Sequence, residues 1–140
     1  MKLDVERIDL WVAGVDDRPG GLAEKFRGLA EAGASLSFGL GRRAPDKPGK
    51  AVVFAAPIRG ARQTRAAKQL GFRKSKSICG VRVVGSDKPG LGLKVTEALA
   101  ASGVNLRGFS GVAVGKQAVF HIAFDTAADA AKAVKILRQI

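Results

Sequence analysis

The sequence of 140 residues has no tyrosine, and it has only one tryptophan, one histidine, one methionine and one cysteine. A lone cysteine cannot close an intrachain disulfide, and with a single histidine it cannot furnish the Cys/His set of a zinc site. Disulfide and metal stapling are thereby excluded. No apolar run approaches the ~18 residues of a membrane-spanning helix. The first six residues carry two acids and lead into no signal-type apolar stretch. These features point to a cytoplasmic chain without a membrane partner. Hydrophobic residues still reach 46% and charged residues 26%, enough apolar content to bury a core. The length suits one ordinary domain or two small ones. Glycine, at 18 residues, lies well above its usual ~7% share and implies many turns and close contacts.

Acids are missing from one region. Between Lys47 and Ser86 there are ten basic residues and no Asp or Glu, whereas residues 1–46 hold seven basic and eight acidic side chains and residues 87–140 hold seven and four. Nearly all of the net charge of +12 therefore sits in the middle. Two readings stay open for it: a solvated face that aids solubility, or a patch for nucleic acid, phosphates, acidic proteins or anionic lipid. Catalytic motifs are also lacking. There is no nucleophile elbow, no phosphate-binding Gly-x-x-x-x-Gly-Lys loop and no dinucleotide fingerprint, and Gly39-Leu40-Gly41 has no helix after it. No catalytic residue, metal ligand or cofactor is expected.

What is present is a repeat. Asp17-Arg18-Pro19-Gly20 recurs 70 residues later as Asp87-Lys88-Pro89-Gly90, and at the same offset Leu29-Ala30, Gly33 and Leu36 meet Leu99-Ala100, Gly103 and Leu106. Beyond the Pro/Gly-rich segment 42–49 the offset falls to 67, where Ala51-Val52, Lys68 and Leu70 meet Ala118-Val119, Lys135 and Leu137. The lost residues fall where a hairpin loop tolerates them.

Each copy alternates between strand and helix periods. In the first, Ile8, Leu10 and Val12 alternate with Asp9, Trp11 and Ala13 as one strand, whose second face Trp11 keeps from being fully polar, and Leu22, Phe26, Leu29 and Ala30 recur at helical spacing after Pro19. A hairpin follows from Leu36–Leu40 and Val52–Ala56, then a helix from Gly60 to Leu70 and a short strand from Phe72. The second copy predicts strand 78–84, helix 89–101, strands 106–114 and 117–124, and a helix from Thr126, which with Asp129 forms a capping-box pattern. The second copy has no residues left for a fourth strand. One sheet edge is then open or filled by another segment. The expectation is α+β: two tandem ferredoxin-like βαββαβ units with antiparallel sheets, over residues 1–77 and 78–140.

Asp-x-Pro-Gly at the first strand-to-helix turn, followed by Leu-Ala-x-x-Gly-Val-Asn-Leu, resembles the ACT domain, the small regulatory amino-acid-binding module. Two such copies in tandem resemble the stand-alone double-ACT proteins. The second copy matches through Gly103-Val104-Asn105-Leu106, whereas Ser35 stands in the first copy where the pattern has Asn. The resemblance implies a non-catalytic regulatory protein that binds an amino acid at ACT–ACT interfaces, forms a homodimer and acts on a regulated enzyme. It places ligand contacts at Asp17, Arg18, Gly20, Gly21 and Leu22, and at Asp87, Gly90, Leu91 and Asn105. Free N–H groups at a helix start suit a carboxylate, and Asp17, Asp87 or Asn105 suits an ammonium. Simple N-capping by the two Asp residues is equally open, and for the glycines plain turn geometry is the reading preferred over ligand contact. Gly92, where copy one has Leu22, leaves either ligand room or close packing.

The rival reading uses the basic region 47–86, with Arg62, Arg65, Lys68, Arg73 and Lys74 as a partner face for nucleic acid or an acidic protein. RNA-recognition motifs share the βαββαβ order, but Lys50–Phe54 and Lys116–Phe120 lack their stacking-aromatic pattern. Of the remaining residues, His121 is expected on the strand face opposite Phe120, Ile122 and Phe124, in a structural role. Cys79 is expected as a small buried residue. Trp11 and Phe54 suggest a sheet-to-sheet or protomer contact, with ordinary core packing as the alternative.

Overall fold

Along residues 2–140, which the computed structural model describes, the elements run β1 (Asp4–Ile8), β2 (Trp11–Asp16), α1 (Gly21–Glu31), β3 (Phe38–Arg43), β4 (Lys50–Ala56) and α2 (Gly60–Gln69). They continue with β5 (Arg73–Lys74), β6 (Cys79–Ser86), α3 (Leu91–Ala101), β7 (Gly108–Val114), β8 (Gln117–Phe124) and α4 (Ala127–Leu137). The strands form two four-stranded sheets of order β3-β4-β2-β5 and β1-β6-β8-β7, every neighbouring pair antiparallel. The expected α+β class with two βαββαβ units is what the chain adopts.

The open edge of the second copy is filled by the start of the chain. β1 pairs with β6, Val5 opposite Val83, and so takes the place of the missing fourth strand. The chain thus divides into a contiguous unit, Asp9–Ser75, and a split unit made of the segment through Ile8 together with Lys76–Ile140. The division thus differs from a simple split at 77/78, because the segment through Ile8 goes with Lys76–Ile140. The expected single strand through Ile8 and Val12 is instead two strands in different sheets, broken at Asp9-Leu10. Its apolar residues occur at both parities, so alternation alone does not choose a face. The packed clusters take Leu3 and Val5 in one unit and Trp11, Ala13 and Val15 in the other, while Leu10, 7% exposed, is buried at the break. Trp11, 7% exposed, is therefore a core residue and not a contact on the far face.

Helices cover one face of each sheet because the strand alternation supplies one apolar face to cover. In the split unit Val81, Val83, Ile122 and Phe124 pack against Val95 and Leu99 of α3 and Ala130 and Leu137 of α4. α4 begins as expected, Thr126 Oγ1 accepting from the Asp129 N–H at 3.0 Å. At its far end Arg138 donates to the Val5 carbonyl at 2.8 Å and so fastens β1 to the unit.

The two copies differ by paired exchanges of volume. Val15 beside Gly21 in the contiguous unit becomes Gly85 beside Leu91 in the split unit. A Cβ on Gly21 would meet Val15 Cγ1 at 3.2 Å and the Asp16 carbonyl at 2.3 Å, and one on Gly85 would meet Leu3 at 2.6 Å and Leu91 at 3.4 Å. Likewise Leu22 covers Gly41, whereas at the equivalent place Gly92 and Gly111 flank the ring of Phe120. Phe120 fills the space that Gly92 leaves, so packing accounts for that glycine. Packing density is kept while the residues supplying it trade places.

Deleting residues 1–8 removes Leu3 and Val5 from the core, each contributing roughly 1.5–3 kcal/mol by burial, and reopens the β6 edge. Urea unfolding is expected to show the split unit losing stability while the contiguous unit's transition stays in place. Phe124→Ala, at a side chain 0% exposed, should cost about 3–5 kcal/mol in the same measurement.

Candidate functional site

The duplicated turn has one geometry in both copies. The Asp17 N–H donates to the Gly49 carbonyl at 3.0 Å and the Asp87 N–H to the Lys116 carbonyl at 2.9 Å, tying each loop to the adjoining hairpin. Gly21 N–H then bonds to Arg18 O, and Leu91 N–H to Lys88 O. Each helix is entered through a glycine in the left-handed region, Gly20 at φ 85° and Gly90 at φ 86°, with no side chain capping it. This corrects the N-capping option for Asp17 and Asp87, because both residues lie three positions before the cap. Pro19 and Pro89 fall in the turn, and the helices begin at Gly21 and Leu91. Glu24 and Lys94 are the first residues whose N–H bonds back to the cap carbonyls. The amides just before them, Leu22 and Ala23 or Gly92 and Leu93, point at the loop mouth with the positive end of the helix dipole.

The loops differ in charge. In the contiguous unit every acid at the mouth is already paired: Arg43 Nε donates to Asp17 at 2.9 Å, Lys50 Nζ to Asp16 at 2.7 Å and Arg18 to Glu24 at 2.9 Å. The hydrogen bond from Lys50, with that ammonium's charge, holds the Asp16 carboxyl below its ordinary value. The bond to Glu24 raises Arg18. Arg43 and Lys50 escaped the sequence reading because they come from the β3–β4 hairpin. The register that places Lys50 opposite Asp16 is the signal that would have found one of them. In the split unit, among the described residues, the Asp87 carboxylate has no ion pair.

Asn105 is not brought to the Asp87 loop. Gly108 at the start of β7 pairs with Ala123, which pairs with Gly80 near the start of β6, whereas the Asp87 loop follows Ser86 at the other end of that strand. Asn105, exposed in the link before β7, lies at the opposite end of the sheet.

The basic run is also redistributed. Lys47 and Lys50 belong to the hairpin, Arg62, Arg65 and Lys68 form an exposed arc on α2, and Arg73 and Lys74 lie on the edge strand β5, with Lys74 paired to Asp9 at 3.2 Å. Lys76 and Arg82 belong to the split unit. The side chains of His121 and Phe54 lie on the sheet faces away from the helices, half-buried. Across strands, His121 sits in a row with Glu6, Arg82 and Ser110. Burial, with the charge of Arg82 adding to it, holds the imidazole below its ordinary value of 6.5. Cys79 is a half-buried thiol packed against the split-unit core. Among the described residues no group of acids, His and Cys is placed to hold a metal ion, and no helix is long and apolar enough to cross a membrane.

No protein-family model matches this chain, and no curated protein does. Solved structures do. The regulatory subunit of aspartate kinase from Thermus thermophilus aligns with a TM-score of 0.67 at 17% identity, covering 99% of this chain and 96% of that one. A protein from Bacteroides thetaiotaomicron gives a TM-score of 0.77 at 18% identity, over 94% of this chain and 88% of its own. Aspartokinase III of E. coli, in complex with aspartate and ADP, gives 0.63 at 17% identity, this chain covering 32% of it. At such identities the likeness is one of fold: the chain has the ACT-like fold of aspartate kinase regulatory subunits.

Two expectations follow from the site. Gly20→Ala and Gly90→Ala meet open space, with at most the tip of Arg18 3.9 Å away. Their cost is therefore conformational, about 1–2 kcal/mol each for a Cβ in the left-handed region, measurable by urea unfolding with helix content kept. His121 favours its neutral form in the folded state, so the unfolded chain binds the extra proton first. Stability from this group is present above about pH 6.5 and declines as pH falls below it. Unfolding midpoints between pH 8 and 5 should show that decline, and His121→Gln should flatten it.

Proposed function

We propose that this chain is a non-catalytic regulatory module, one that binds an amino acid at its strand-to-helix loops and passes the event to a partner enzyme as a shift between conformations or assemblies. The observation that carries the reading is the loop itself. It is built twice, with the same left-handed glycine and the same backbone ties, on a fold that solved regulatory subunits of aspartate kinase share. At such a loop the amides opening the helix receive the ligand's α-carboxylate, and the preceding acid receives its ammonium.

The charge pattern ranks the two loops. Asp17 is engaged by Arg43, so an incoming ammonium there must displace a guanidinium. Asp87 needs no displacement, and the split unit's loop is the stronger site, with Asp87, Gly90 and Leu91 at its mouth. The contiguous unit's loop, Asp17 to Leu22, is the weaker one. Asn105 lies too far along the sheet to share a ligand with Asp87 in one unit, so its contribution comes from a second copy of the chain in a homodimer. Binding then acts on the assembly equilibrium, and a ligand moves that equilibrium only by its difference in affinity for the two states.

A thermal-shift screen over the twenty amino acids, followed by calorimetry on the hit, tests this reading. Gly90→Val should abolish binding while the fold is kept. Asp87→Asn should weaken it about tenfold, the loss of one charge-assisted hydrogen bond, and Asp17→Asn should change it much less. A screen blank for all twenty, or an affinity unmoved by Gly90→Val, removes the siting.

A further inference from the structure

The duplication supplies an internal comparison for the basic helix. α2 and α4 are equivalent, 67 residues apart, yet Arg62, Arg65 and Lys68 of α2 stand where α4 has Asp129, Lys132 and Lys135. α2 carries no acid at all. Its neighbour α1 has likewise changed: Gly28 stands where α3 has Ala98, and Lys25 where α3 has Val95. The two changes meet in a groove between α1 and α2 within the contiguous unit. Gly28, Ala32, Ala66 and Leu70 form its apolar floor, and Arg62, Arg65 and Gln69 stand along one rim with Glu31 on the other. The floor is closed from below, because a Cβ on Gly28 would meet Leu70 at 2.6 Å.

The rim is held in position from within the unit. Arg62 donates to the Glu31 carbonyl at 2.8 Å and Gln63 to the Gly33 carbonyl at 3.0 Å, each bond crossing from α2 to the end of α1. Lys25 donates to the Leu70 carbonyl at the groove's other end. Two guanidinium groups over a floor of small side chains fit a segment that presents acids beside an apolar stripe. They do not fit a nucleic-acid strand, since no aromatic side chain lines the groove for base stacking.

We infer that the groove between α1 and α2 docks an acidic amphipathic polypeptide segment of a partner protein, charge complementarity at Arg62 and Arg65 giving orientation and the small-residue floor giving apolar contact. This surface is separate from the amino-acid loops and does not depend on that reading.

The probe is a fluorescein-labelled 16-residue peptide with Glu on both sides of a Leu/Ala stripe at helical spacing. It is compared by fluorescence anisotropy with a scrambled peptide of the same composition and with a 16-nucleotide single-stranded RNA, at low and moderate salt. The full chain should bind the patterned peptide several-fold more tightly than the scrambled one, and less tightly as salt rises. Arg62→Glu with Arg65→Glu should weaken binding about tenfold or more. Lys132→Glu with Lys135→Glu, the same charge change on α4, should alter it less than about twofold. Arg65→Ala, which removes an exposed side chain and no hydrogen bond to α1, should weaken it in the same direction, with circular dichroism confirming the fold. Equal loss from the α2 and α4 variants, or equal binding of the scrambled peptide, would overturn the proposal in favour of general basicity. Tighter RNA binding that depends on Arg62 and Arg65 would overturn it in favour of a nucleic-acid surface.

Discussion

The pairing of β1 with β6 is the contact on which the architecture rests. Without it the second copy has three strands and an exposed row of backbone donors and acceptors. With it, Val5 lies opposite Val83, Leu3 closes over Gly85, and Arg138 reaches back from the last helix to the Val5 carbonyl. An antiparallel ladder between residues nearly eighty positions apart carries a loop-closure cost that local hairpins do not. That cost grows only slowly with loop length, and burial of two aliphatic side chains together with the ladder bonds offsets it. The result is a chain in which one repeat is inserted within the other.

The repeats preserve this arrangement by trading volume across contacts. Where a strand residue shrinks to glycine, the facing helix residue grows, as with Val15 and Gly21 against Gly85 and Leu91. Where the helix residue shrinks, a neighbouring strand grows an aromatic ring, as with Leu22 against Gly92 and Phe120. Close-packed interiors permit such coupled changes and resist single ones. The charged surface diverged with no such coupling, and α2 became uniformly basic while α4 kept a mixture.

Much of this was written locally in the chain. The Asp-x-Pro-Gly turns, the Gly60–Leu70 helix and the Thr126 cap all rest on neighbours within a few residues. They emerge where sequence reasoning places them, to within two positions. The first strand did not. Ile8, Leu10 and Val12 offer as regular an alternation as Trp11, Ala13 and Val15, and only the need of a distant sheet for a fourth strand decides between them. The partners of Asp16 and Asp17 were hidden for the same reason. Lys50 and Arg43 reach the loop through hairpin pairing, and no local pattern marks them as loop residues. Asp87 and Asn105, members of one motif along the chain, stand at the two ends of a sheet, a separation that only the strand register reveals.

The inserted order of the chain has a consequence during synthesis. The contiguous unit has all its residues once Ser75 has emerged, whereas β1, made before it, waits for a partner strand that begins just over 70 residues after β1 ends. At ~5–20 residues per second that interval lasts roughly 4 to 14 s, during which Leu3 and Val5 sit on a nascent chain without their ladder. Asp4, Glu6 and Arg7 place charges on that segment, a pattern that disfavours strand pairing with other chains.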